Sequence, residues 1–101
     1  MTGHRLHFLE EAYEELGAAY EWYAQRSHRA AAAFLREVDR GIRLIVESPD
    51  LWPHFEGEVR RCVLRAYPYS ILYRQAGTAI QVIAVAHDRR RPGYWRRRSD
   101  T

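Results

Sequence analysis

A chain of 101 residues with 47% hydrophobic residues and 13% aromatics is one globular domain, not a disordered segment, and can bury one core of moderate size. Its formal charge of +3 hides a division: residues 1–58 carry six Arg against eleven Asp or Glu, and residues 59–101 carry ten Arg against two Asp, which implies an anionic partner, protein or nucleic acid. No apolar run approaches the ~20 residues of a membrane span, no charged-then-apolar signal segment opens the chain, so a cytoplasmic location is expected, and the single Cys62 excludes an intrachain disulfide or a cysteine-built zinc site.

His4 to Leu9 reads as a short strand, with Leu6 and Phe8 facing one way and Arg5 and His7 the other. Glu10 to about Arg26 reads as a helix striped by Ala12, Leu16, Ala19, Tyr20 and Tyr23. Glu10, Glu11, Glu14 and Glu15 crowd its first turns, where negative charge meets the positive end of the helix dipole. With no His one turn away, they read as a solvated face and not as a metal site. Ser27 is placed to cap a second helix, about His28 to Glu47, striped by Ala31, Phe34, Leu35, Val38, Ile42 and Ile45 and ended by Ser48-Pro49. The short connection makes the two an antiparallel hairpin. Asp50 to Glu58 reads as a loop broken by Pro53 and Gly57, with Leu51, Trp52 and Phe55 tucked under the helices and His54 exposed.

Val59 to Arg65 reads as a strand with Arg61, Val63 and Arg65 on one face and Arg60, Cys62 and Leu64 on the other. Arg61 and Arg65, projecting from one face, would reach carboxylates or grip phosphate; every cationic residue here is Arg, which suits planar recognition of either, although genome composition alone also produces such a chain. Tyr69 to Arg74 is the next strand, with Ile71 and Tyr73 opposite Ser70 and Leu72. Gln75 to Thr78 is a hairpin turn in which Gly77 can take positive φ. Ile80 to Ala86 is apolar on both faces apart from Gln81 and belongs in the sheet interior. A basic, aromatic tail follows at 87–101. Its rings and arginines could stack on bases and hold phosphates, or anchor a protein partner. Trp95 folding back onto the sheet is the plainer alternative. His87 reads first as a structural histidine fixing the tail and second as an acid–base group.

The order strand, helix, helix, three strands carries recognisable segments: A-Y-E-E-L-G-A-A-Y-E-W-Y at Ala12 to Tyr23, R-R at Arg60 and Arg61, Y-P-Y-S-I-L-Y at Tyr67 to Tyr73, and H-D-R-R-R-P-G-Y-W at His87 to Trp95. Together they resemble the ParE/RelE superfamily of bacterial type II toxins, and within it the ParE-like branch of plasmid-stabilisation proteins. The resemblance implies a single α+β domain over residues 1–101: an N-terminal strand and an antiparallel helical hairpin packed on a twisted, mainly antiparallel sheet of about four strands. It implies growth arrest by the free toxin and a cognate antitoxin, bound in a hetero-oligomer through an acidic C-terminal segment, with operator DNA reached only through that antitoxin.

ParE-like members inhibit DNA gyrase by binding and are not hydrolases. RelE-like members cut messenger RNA on the ribosome, using Lys and Arg of the central strands and a Tyr near the C-terminus. This chain has no Lys, and Ser70 stands where a central Arg would be. A partial nuclease set would be Arg61, Arg65, His87 and Tyr94. The departure favours a gyrase inhibitor that is not an enzyme and needs no metal or cofactor. A RelE-like endonuclease and a non-toxic antitoxin-binding homologue are the alternatives. The residues expected to meet target or antitoxin are Arg60, Arg61, Arg65, Arg74, Arg89, Arg90, Arg91, Tyr94, Trp95 and Arg96.

Overall fold

The hairpin forms where side-chain periodicity demands it. In the computed structural model, which describes residues 5–99, strand β1 (Arg5–Phe8) leads directly into helix α1 (Glu10–Ala24), and helix α2 spans His28–Glu47. His4, included in the expected first strand, lies outside the described residues. Ser27 has extended backbone, and its hydroxyl accepts the Ala30 N–H at 3.1 Å, satisfying one of the orphan donors of α2. The buried face of α2 is Ala31, Phe34, Val38, Gly41 and Ile45, at alternating spacings of three and four. Leu35, expected on that stripe, is rotated off it and is exposed. Gly41 replaces it as a contact position. A Cβ there would stand 3.3 Å from Ile71 Cδ1 and 3.4 Å from Cys62 Sγ, so its absence lets α2 lie close on the sheet.

The remaining elements are β2 (His54–Glu56), β3 (Val59–Val63), β4 (Tyr69–Ala76), β5 (Ala79–His87) and the short helix α3 (Arg96–Ser99). The sheet order is β1-β5-β4-β3-β2, with β1 parallel to β5 and every other neighbouring pair antiparallel. The apolar strand β5 is interior, as its composition requires. The sheet has five strands where about four were expected, because β2 forms inside the expected loop 50–58. Pro53 precedes its first paired residue, and Gly57 at φ +58° turns the chain so that Glu56 pairs with Val59 and His54 with Arg60. Leu51 and Phe55 are exposed rather than tucked under the helices; of that group Trp52 packs on the core.

Each face of the sheet has its own cover. On one face, Phe34, Val38 and Ile45 of α2 and Ala12 and Ala19 of α1 pack on Cys62, Ile71, Tyr73, Ile80 and Val82. On the other, Trp95 from the tail packs on Val59, Leu72, Ile83 and Ala84. A bulge divides β5: Leu72 pairs with Ala84, but Tyr73 pairs with Val82. Ile83 is the extra residue, which puts Ile83 and Ala84 together beneath Trp95. The pairing of β1 also ends at this point, at Phe8 with Val82. Beyond it the N–H groups of β5 need another acceptor.

Candidate functional site

That acceptor is the Glu15 carboxylate of α1. Oε1 accepts the Val85 N–H at 3.0 Å and Arg98 Nη1 at 2.9 Å; Oε2 accepts the Tyr94 hydroxyl at 2.7 Å and Arg98 Nη2 at 3.1 Å. Arg90 Nη1 stands 3.8 Å away. Glu15 therefore does not belong to a solvated acidic face: its side chain is 15% exposed and joins the tail to α1. Nothing in the local pattern distinguishes it from Glu10, Glu11 and Glu14, because its partners lie 70, 79 and 83 residues away. Burial, then the bond to Glu15, pushes the Tyr94 hydroxyl pKa well above its ordinary value.

The tail is held at its start as well. Asp88 N–H donates to Pro68 O at 2.8 Å. His87 Nδ1 accepts the Arg89 N–H at 3.0 Å, which places its proton on Nε2, and its ring meets the edge of Tyr69 at 4.9 Å. Gly93 turns the chain at φ +78°. Trp95 is 3% exposed and is a core residue of this face.

Between the tail and the sheet lies a cleft of about 130 Å³ lined by Arg61, Ser70, His87, Arg90, Arg91 and Tyr94, with Phe55 and Trp95 in its walls. Arg61 Nε donates to Ser70 Oγ at 3.2 Å, and its guanidinium lies 5.0 Å over the Phe55 ring. Arg90 lies 3.8 Å over the Tyr94 ring. The cleft thus unites the expected Arg61, His87, Arg90, Arg91, Tyr94 and Trp95. Arginines lie over the Phe55 and Tyr94 rings and Trp95 is buried, while Phe55 stays about half exposed.

Arg65 is not among them. Strand β3 ends at Val63, and Ala66 takes φ +67°, so the alternation that would align Arg65 with Arg61 stops. The Arg65 N–H instead donates to Glu37 Oε2, with Arg65 Nε 3.9 Å from Oε1. Glu37 also accepts two bonds from Arg40, at 2.9 and 2.8 Å; that pairing above all holds its carboxyl at about 2. Arg60 donates to the carbonyls of Asp50 and Trp52 and pins the segment before β2. Arg74 donates to Gln81 at 2.9 Å across the β4–β5 hairpin, and Arg96 makes a two-pronged pair with Glu56 of β2. The Arg89 side chain is exposed. Among the described residues no group of three or more His, Cys, Asp or Glu could hold a metal, and no helix is long and apolar enough to cross a membrane. Burial pushes the Cys62 thiol up to about 11, so it is no thiolate ligand or nucleophile at neutral pH.

Residues 6–92 match the family described as ParE toxin of type II toxin-antitoxin system, parDE. Among solved structures, a chain of the chromosomal ParDE TA system from P. aeruginosa shares the fold with a TM-score of 0.72 at 19% identity, over 83% of this chain and 95% of that one. A comparison with curated proteins gave no match. The family match runs from β1 through the cleft-forming turn after β5, and the chain belongs to the ParE toxin family of type II toxin–antitoxin systems.

Proposed function

We propose that this chain arrests growth by binding and inhibiting DNA gyrase, without catalysis, in the cytoplasm, and that a cognate antitoxin neutralises it. The observation that carries this reading is the match to the ParE family over residues 6–92. The similar fold in a ParDE toxin–antitoxin system supports an antitoxin partner. Three features speak against the RelE-like alternative. The chain has no Lys. Arg65 lies off the cleft beside Glu37, away from Arg61. The Tyr94 hydroxyl is donated to Glu15, which leaves it no proton free for a leaving oxygen. The test is a gyrase supercoiling assay titrated with purified chain beside a matched translation reaction. Inhibited supercoiling with intact message supports the reading; cleaved message with normal supercoiling overturns it.

A further inference from the structure

We propose that the cleft is an oxyanion site that seats one Glu or Asp side chain of an acidic peptide segment. Ser70 is 3% exposed, and its oxygen already accepts from Arg61 Nε. A hydroxyl that accepts must still place its own proton. No described residue accepts it, and the cleft is the space this hydroxyl lines. An acceptor entering the cleft would take that proton. It would also meet the Nη groups of Arg61, which have no hydrogen-bond partner among the described residues, in a cleft that Arg91 also lines. With Arg90 balanced by Glu15, Arg61 and Arg91 still outweigh Asp88, the one carboxylate of the lining, so the local field favours an anion.

Shape narrows the anion. About 130 Å³ admits a carboxylate on a short stem rather than a nucleotide. Trp95 is buried and Arg90 lies over the Tyr94 ring, so the one ring of these three still about half exposed is Phe55, which already carries Arg61. What is left is a planar guanidinium edge beside a hydroxyl donor, the geometry that suits a carboxylate with two acceptor oxygens. The identity of the segment as part of an antitoxin rests on the proposed function; the chemistry of the site does not.

The test is a titration of the full chain, followed by tryptophan fluorescence and by amide shifts of the cleft residues, with hexaglutamate, hexaglutamine and a six-nucleotide single-stranded RNA. Saturable binding of hexaglutamate alone is expected. Ser70→Ala and Arg61→Gln should each weaken it about tenfold, while Arg43→Gln, an equal charge loss on α2, leaves it unchanged. Ser70→Ala removes one oxygen and keeps the side-chain volume, so it carries the test should Arg61→Gln fold poorly. Equal binding of hexaglutamine, equal loss in Arg43→Gln, tighter binding of the RNA through the same two residues, or no binding at all would each overturn the proposal. Supercoiling inhibition is scored separately: losing it with peptide binding intact removes the gyrase reading and leaves the site.

Discussion

Glu15 and Arg98, 83 residues apart, meet through two parallel hydrogen bonds of 2.9 and 3.1 Å with both side chains largely shielded from water. The pair turns the end of the chain into part of the fold. Helix α1, the unpaired N–H at the β5 bulge and the tail all depend on one carboxylate.

Glu15→Gln removes the charge that Arg98 faces and one of the acceptor oxygens that Tyr94, Val85 and Arg98 share. Breaking such a pair from one side is costlier than the pair is worth, and partial exposure trims the cost to about 2 kcal/mol. Thermal unfolding should fall by roughly 8–16 °C for a domain of this size. An unchanged melting temperature would show that Trp95 and the tail's other contacts hold it without Glu15.

The two helical glycines should respond oppositely. Gly17 has open space around a new Cβ, so Gly17→Ala should gain about 0.5–1 kcal/mol in helix propensity. Gly41 faces Ile71, Cys62 and Leu64 at 3.3–3.4 Å, so the branched side chain of Gly41→Val should cost about 1–3 kcal/mol by pushing α2 off the sheet. Urea unfolding of both variants checks the contrast.

Glu37 sets an acid limb of stability. Its folded pKa is lowered to about 2, below its unfolded value, so its contribution is complete above pH 4.5 and is lost as pH falls toward 2. Solvent screening at this open groove limits the term to on the order of 1–2 kcal/mol. Glu37→Gln should flatten the fall in unfolding free energy between pH 5 and 2 relative to the parent chain. Parallel curves over that range would sink the assignment.

Tyr94→Phe separates inhibitor from nuclease. It removes one bond to Glu15, at about 1 kcal/mol, and no group that the inhibitor reading needs for chemistry. Growth arrest on induction, corrected for folded protein, should persist. A loss of message cleavage in this variant, with the fold intact, would restore the nuclease.

The α+β class, the helical hairpin, its cap at Ser27 and the interior place of β5 were legible in the residues. Each rests on a local rule: a period of 3.6, a cap three residues from its donor, a strand apolar on both faces. Strand β2 was hidden because three exposed residues beside Pro53 carry no periodicity and are a strand only through pairing with β3. Leu35 is exposed because the buried face of α2 runs through Ala31, Phe34, Val38, Gly41 and Ile45, and the close approach at Gly41 shows only in the packed structure.

The amino-acid order alone determined which residues are apolar, where the chain must turn and that its cations gather in the second half. Tertiary structure decided which of those cations are available. It spent Arg60 on loop carbonyls and Arg98 on Glu15, tied Arg65 to Glu37 through its backbone N–H, and left Arg61 and Arg91 lining one cleft. A charge is available or spent according to the acceptor that stands within about 3 Å of it. For these arginines most of those acceptors lie on other elements, at separations no local pattern encodes.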